Sequence, residues 1–123
     1  MTSLVGTRVL VVEDEGAVAL LIEDMLEALG CEVVASVARL AKAHDLAGSL
    51  DIDLAILDVN LAGERVFPVA ETLQARGIPF LFSTGYGASG LPNAFSKHPV
   101  LHKPFSERDL QHKIVLALQP DAH

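Results

Sequence analysis

The chain has 123 residues, half of them hydrophobic, and a formal net charge of −7 at pH 7. This size and apolar content predict one domain with a single core and exclude an intrinsically disordered protein. The negative charge disfavours direct binding of nucleic acid, whose phosphates require clusters of Lys and Arg. The single cysteine, Cys31, excludes an internal disulfide and a metal site built on thiols. The sequence shows neither the apolar core of a signal peptide nor an apolar run near the roughly 20 residues that cross a bilayer, so we expect a cytoplasmic protein without membrane insertion.

Short apolar runs alternate with segments of helical periodicity along the chain. The predicted strands cover residues 9–12, 32–35, 54–57, 79–82 and 99–102. Apolar residues at helical spacing from Val18 to Leu29 predict a first helix that stops at Gly30. A second helix is expected after Ser36, which is placed to cap it, and His44 should pack within its apolar face.

Two further helices are predicted in the second half of the chain. The first covers residues 66–73 and ends at Gly77, with Pro68 in its opening turn, where a missing N–H does little harm. The last begins after an N-cap at Ser106 and carries an apolar stripe over residues 110–118.

The segment 85–98 contains three glycines and a proline, which disfavour a regular helix. We therefore predict a loop there, with at most a short helix. Strands that alternate with helices indicate right-handed βαβ units and a parallel sheet covered on both faces. Five such strands favour an α/β fold with a doubly wound sheet in the order 2-1-3-4-5. We expect residues 1–123 to form this one domain.

Polar residues collect where the predicted strands end. Glu13 and Asp14 follow the first strand, Asp58 the third, Thr84 the fourth and Lys103 the fifth. All strands of a parallel sheet end at the same edge, and ligands bind there at the point where the strand order reverses. We therefore expect Asp14 and Asp58 to be neighbours.

Crowded carboxylates require a cation or shifted pKa values, because two of them ~5 Å apart repel by about 3 kcal/mol. Hard oxygen ligands suit Mg²⁺, which binds one or two carboxylates together with a phosphate. Lys103 and Thr84 would contact that phosphate, and a carboxylate can itself become an aspartyl phosphate. Each residue alone is more often a cap, a turn or a surface charge, but their collection on one edge indicates a functional site.

Four segments carry a resemblance to a known family: VVEDE at 11–15, LDVNL at 57–61, STG at 83–85 and LHKPF at 101–105. With them the chain resembles, over essentially its whole length, the receiver domain of bacterial two-component response regulators. The resemblance implies a flavodoxin/CheY-like three-layer sandwich in which Asp58 is the phosphoacceptor. It also implies that Glu13, Asp14, Asp58 and the backbone carbonyl of Asn60 bind Mg²⁺, for which Mn²⁺ can substitute.

The same resemblance assigns the remaining site residues. Thr84 contacts the phosphoryl group, Lys103 pairs with Asp58 or its phosphate, and the peptide bond before Pro104 is expected to be cis.

Departures from the family pattern bear on the conformational switch. Ala62 stands where many receivers have a proline, and Val100 stands where many have an aromatic switch residue. The segment FSTGY at 82–86 is similar to a subfamily of single-domain receivers with FATGY, in which the conventional fourth helix is often weak. We therefore hypothesise that the glycine-rich loop with Tyr86 is the moving part.

The resemblance implies a stand-alone receiver without an output domain. We expect this receiver not to be an enzyme. Its partners would be a sensor histidine kinase or phosphotransfer protein and a downstream protein of unknown identity. Phosphorylation of Asp58 would switch a protein–protein interaction, relay phosphate or drain it from a kinase. We expect a monomer or a weak homodimer.

Three alternatives stay open at this stage. A degenerate receiver could act as a scaffold without phosphorylation, although the full set of acids, Thr84 and Lys103 disfavours this. A phosphohydrolase of the haloacid dehalogenase kind needs an acid where Asn60 stands. A flavodoxin-like FMN binder needs a hydroxyl- and glycine-rich loop where the chain has the acidic residues 13–15.

Overall fold

The computed structural model describes residues 3–85 and 91–119. In chain order its elements are β1 (Arg8–Val12), α1 (Gly16–Ala28), β2 (Glu32–Val37), α2 (Leu40–Ser49), β3 (Leu54–Asp58), β4 (Asn60–Leu61), β5 (Glu64–Arg65), α3 (Phe67–Ala75), β6 (Phe80–Thr84), β7 (Val100–His102) and α4 (Glu107–Leu118). A single 3₁₀ turn, Asn93–Phe95, lies between β6 and β7 in the described part.

Five strands form one parallel sheet in the order β2-β1-β3-β6-β7, which confirms the predicted order 2-1-3-4-5. Because successive residues of a strand point to opposite faces, the sheet has two apolar cores. On one face, Leu10 and Val12 pack with helices α2 and α3. On the other, Val9 and Val11 pack with helices α1 and α4. The result is the expected three-layer sandwich.

Several local signals in the sequence have the structural role predicted for them. Pro68 lies in the first turn of α3. Ser106 caps α4 through a reciprocal pair of hydrogen bonds: its Oγ accepts from the backbone N–H of Asp109 at 3.1 Å, and the Asp109 carboxylate accepts from the N–H of Ser106 at 3.0 Å. Gly30 follows the end of α1 with a φ of +90°, a conformation that glycine adopts without strain.

Two predictions around α2 are wrong. Ser36 does not cap the helix but lies within β2, because pairing with β1 continues to Val37; the residue before α2 is Arg39, which makes no side-chain cap. His44 is exposed rather than packed in the core, and its Nε2 lies 3.1 Å from the hydroxyl of Thr72 on α3. Strand pairing with β1 overrode the capping signal at Ser36, whereas His44 lies on the exposed side of α2.

A loop with at most a short helix was predicted between β6 and β7, and the described residues of that segment contain only the 3₁₀ turn Asn93–Phe95. The 3₁₀ turn places the buried Phe95 against an aromatic cluster, with ring centroids 5.9 Å from Phe67, 6.0 Å from Phe80 and 5.8 Å from Phe82. Phe95 therefore anchors residues 91–99 to the core, and this described part of the connection contains no α-helix. Within residues 3–85 and 91–119, no helix has both the length and the apolar character required to cross a membrane.

Candidate functional site

A cavity of about 470 Å³ opens at the carboxyl edge of the sheet, where β1, β3, β6 and β7 end. Its wall includes Asp14, Asp58, Asn60, Thr84 and Lys103. Five residues that the sequence assigned to one site are therefore brought together by four separate strand ends. The expected proximity of Asp14 and Asp58 is also observed, because one carboxylate oxygen of each lies within 4.8 Å of the other.

The ammonium of Lys103 lies between two buried carboxylates. Its Nζ is 2.9 Å from Oε1 of Glu13 and 3.2 Å from Oδ2 of Asp58. Glu13 is only 2% exposed and Asp58 only 6% exposed. Carboxylates are rarely buried without a charged partner, so Lys103 offsets part of the desolvation penalty of both.

Backbone N–H groups also hold one carboxylate oxygen of each of the three acids. Oε2 of Glu13 accepts a hydrogen bond from the N–H of Glu15 at 3.1 Å, and Oδ1 of Asp58 accepts one from the N–H of Asn60 at 3.3 Å. Oδ2 of Asp14 accepts one from the N–H of Ala62 at 3.0 Å. The acids are thus held in place by the chain that follows β1 and β3.

A small hairpin after Asp58 explains the alanine at position 62. Strands β4 and β5 are antiparallel and are joined by Ala62 and Gly63, with φ values of +51° and +92°. Positive φ at both central residues defines the tight turn that suits a two-residue hairpin. Proline has a fixed φ near −65° and no N–H, so it could neither adopt this turn nor donate to Asp14. This turn requires a positive φ and a backbone N–H at position 62, which explains why the chain has alanine there and not the proline of many receivers.

The environment of the site shifts the pKa values of three of its residues, Asp14, Asp58 and Lys103. Burial raises the pKa of Asp58 to about 7; the neighbouring Glu13 adds to the shift, and Lys103 opposes it. Partial burial acts to raise the pKa of Asp14, but hydrogen bonds with Asp58 and the N–H of Ala62 outweigh it and lower that pKa. Burial acts to lower the pKa of Lys103, but its pairing with Glu13 and Asp58 raises it.

The acidic cluster fits a small divalent cation. One carboxylate oxygen from each of Glu13, Asp14 and Asp58 lies within 4.8 Å of the others. Mg²⁺ holds its oxygen ligands about 2.1 Å away, so the three carboxylates would have to move closer together to share one ion. The donor set consists of carboxylate oxygens, which Mg²⁺ prefers over the nitrogen and sulfur ligands typical of zinc.

The other residues singled out by the sequence are placed as follows. Thr84 ends β6 and is buried at the cavity wall, and the Lys103–Pro104 peptide bond is cis. Val100 is buried beside Phe82 in the apolar core that faces α2 and α3. Tyr86 lies outside the described residues.

Sequence reasoning missed two features of the site. Arg65 lines the cavity from β5, and the only signal for it was the Ala62-Gly63 pair, which could have indicated a tight hairpin. Ser83 is paired in register with Asp58 and is fully buried, and its hydroxyl makes no hydrogen bond within the described part of the chain.

Comparison with known proteins identifies the family. Residues 9–115 match the response regulator receiver domain. The solution structure of SdrG from Sphingomonas melonis Fr1 is 42% identical, with a TM-score of 0.82 over 96% of this chain and 98% of SdrG. The BeF3-activated conformation of SdrG, from Pseudomonas melonis Fr1, gives 41% identity and a TM-score of 0.79 over 97% and 100% of the two chains.

A structure with a bound metal is also similar. The receiver domain of the sensor histidine kinase PA1611 from Pseudomonas aeruginosa PAO1, with a magnesium ion coordinated in its active-site cleft, is 25% identical, with a TM-score of 0.77 over 92% of this chain and 98% of that one. A search among curated proteins gave no match. Since the match to the family spans most of the sequence and the fold agrees with it, this chain belongs to the response regulator receiver domain family.

Proposed function

We propose that this chain is a phosphoacceptor receiver in which Asp58 takes a phosphoryl group from the phosphohistidine of a sensor histidine kinase or phosphotransfer protein. Receiver domains are generally non-enzymatic signalling domains. The observation that carries the proposal is the ammonium of Lys103, held 3.2 Å from Asp58 and 2.9 Å from Glu13 beside the acidic cluster. A buried acid with a cation at one side and a cavity at the other can receive an anionic group.

The chemistry assigned to the residues is mainly positioning and charge neutralisation, as is usual for phosphoryl transfer. Asp58 is the nucleophile. Its Oδ1 is held by the N–H of Asn60, and Lys103 lies beside Oδ2. Lys103 and the hydroxyl of Thr84 would then contact the oxygens of the phosphoryl group, which carries about −1.5 to −2 charges at neutral pH in ordinary phosphate esters.

The proposed cation is Mg²⁺, with Mn²⁺ as a substitute, held by Glu13, Asp14, Asp58 and the backbone carbonyl of Asn60. When bound it would neutralise carboxylate charge and favour the ionised form of Asp58, whose pKa is otherwise raised to about 7. Support comes from the all-oxygen cluster of this chain and from the magnesium ion in the similar PA1611 receiver domain.

Phosphorylation would act on a protein–protein interaction by redistributing the contacts of Lys103. A phosphoryl group on Asp58 competes with Glu13 for the ammonium, and such local electrostatic changes can bias a two-state loop. Val100 is aliphatic and cannot exchange an aromatic ring between buried and exposed states. The hypothesis that Tyr86 takes part in this switch stays a prediction, because Tyr86 lies outside the described residues.

A stand-alone role is part of the same proposal. Residues 1–123 form the receiver and act through another protein, either by relaying phosphate, by draining it from a kinase, or by binding a downstream partner when phosphorylated. Support comes from SdrG, which matches this chain over 98% of its own length. We place this function in the cytoplasm.

The direct test is phosphorylation of Asp58 by a histidine kinase of the source organism. Wild type should take up acid-labile phosphate in Mg²⁺, whereas Asp58→Ala and wild type in EDTA should not. Asp24→Ala, which removes an exposed carboxylate on α1, is the matched control and should label like wild type. Acid-labile labelling of Asp58→Ala would show that the phosphoacceptor is a different residue.

The alternatives are less well supported. A scaffold without phosphorylation would not need a partly buried lysine paired with two buried acids, and the chain retains all three. A haloacid dehalogenase-type phosphohydrolase needs an acid at Asn60, whose Oδ1 instead accepts a hydrogen bond from the N–H of Gly63 at 2.8 Å.

A further inference from the structure

Arg65 is a basic residue on the wall of the acidic cavity. It lies in β5 directly opposite Asn60 of β4, and both residues line the cavity. Directly opposed side chains of an antiparallel pair project from the same face, with Cβ atoms about 5 Å apart. Arg65 is therefore an exposed residue of the cavity wall beside Asn60, which follows Asp58 by two positions.

The hairpin that carries Arg65 is held to the site by one hydrogen bond and closed by two hydrogen bonds of its own. The N–H of Ala62 donates to Asp14, and the N–H of Gly63 donates to Asn60. The N–H of Val66 donates to the carbonyl of Val59 at 3.0 Å, which closes the base of the hairpin. The backbone of Arg65 is thus anchored relative to Asp58, while its exposed side chain can still move.

The charges around the cavity leave Arg65 available for an anion. The cavity wall carries three acids, Asp14, Glu15 and Asp58, and two cations, Lys103 and Arg65. Lys103 is already paired with Asp58 and with Glu13. Among the described residues, Arg65 makes no ion pair or side-chain hydrogen bond. An incoming phosphoryl group adds negative charge to a site with a surplus of carboxylates, so a second cation has a clear electrostatic use.

We propose that Arg65 is a second cationic contact for the phosphoryl group, and that it binds the phosphoryl oxygens while the group is delivered to Asp58 and afterwards. This rests on the function proposed above. A planar guanidinium can donate two parallel hydrogen bonds to two phosphoryl oxygens, which an ammonium cannot.

The role of Arg65 in the transfer is electrostatic. An oxygen of Asp58 forms a bond to phosphorus as the P–N bond of phosphohistidine breaks. The imidazole nitrogen keeps the electron pair of that bond and takes up a proton from water. Arg65 donates hydrogen bonds to the phosphoryl oxygens and neither gives nor takes a proton in this step.

The test uses beryllofluoride with Mg²⁺, a phosphoryl mimic, titrated into the ¹⁵N-labelled full chain and followed by NMR. Arg65→Gln should weaken beryllofluoride binding about fivefold, a modest factor because water screens an exposed charge. Arg65→Lys should recover part of that loss by restoring the charge. The matched control Arg108→Gln removes an exposed guanidinium at the start of α4, outside the cavity wall, and should bind like wild type.

The same variants should show a parallel loss in the rate of labelling by an acyl phosphate, and the loss should shrink at high salt. Unchanged thermal unfolding of Arg65→Gln would show that the lost affinity reflects the missing charge. If wild type binds beryllofluoride and Arg65→Gln binds it equally well, the role of Arg65 is refuted while the proposed function stands. If wild type itself neither binds beryllofluoride nor takes up phosphate, the proposed function fails.

Discussion

Replacing Asp58 by Asn is expected to stabilise the metal-free protein at alkaline pH. The pKa of Asp58 rises from 3.8 to about 7, mainly through burial and with a contribution from Glu13. Because the folded-state pKa lies above the unfolded one, the folded state binds more protons between these values. The stability due to the protonated carboxyl is fully present below about pH 4 and is lost as pH rises through about 7.

The size of the effect follows from the shift. Raising the pKa of Asp58 by about 3 units changes the free energy of unfolding by at most about 4 kcal/mol. Water in the open cavity screens the charge, which reduces the expected gain of Asp58→Asn to about 1–2 kcal/mol.

The assay is urea unfolding in EDTA, followed by circular dichroism, at about pH 5 and about pH 8. Asp58→Asn should be more stable than wild type at both pH values, and the gap in free energy of unfolding should be about threefold larger at the higher pH than at the lower one. The exposed Asp24→Asn is the control and should show no such gap. Adding Mg²⁺ at the higher pH should stabilise wild type and narrow the gap. A gap of the same size at both pH values, or none at the higher one, would refute the electrostatic reasoning.

Three further substitutions test features of the fold. Ala62→Pro should lower the free energy of unfolding by about 2–3 kcal/mol, because proline cannot adopt the positive φ and removes the N–H that binds Asp14. Unchanged urea unfolding of this variant would contradict the turn geometry. Phe95→Ala should lose about 3–5 kcal/mol, the usual result of emptying a buried aromatic position, whereas Phe95→Leu should lose clearly less; equal unfolding midpoints for the two variants would argue against an anchoring role. Ser83→Ala should raise the free energy of unfolding by about 1 kcal/mol, because it removes a buried hydroxyl without a hydrogen bond; a loss of stability instead would show that this hydroxyl has a partner.

The sequence alone was sufficient for the sheet and for most of the site. Apolar runs of strand length alternating with helical periodicity specified the strand order, because short right-handed crossovers leave few alternatives. Asp14, Asp58, Thr84 and Lys103 could be placed together for the same reason, since every strand of a parallel sheet ends at one edge. Strong local signals, such as the cap at Ser106, were also read correctly because their hydrogen bonds join residues near in sequence.

Features that depend on contacts between distant residues were decided only by the tertiary structure. Ser36 looked like a helix cap but became part of β2 because β1 offers it a pairing edge, and the pattern around His44 could not show which side of α2 would be covered. The raised pKa of Asp58 depends on burial and on its distance to Glu13 and Lys103, neither of which is encoded locally. Arg65 reaches the cavity only because a two-residue turn reverses the chain after Asp58, and this turn is stabilised by a hydrogen bond to an acid 48 positions earlier in the chain.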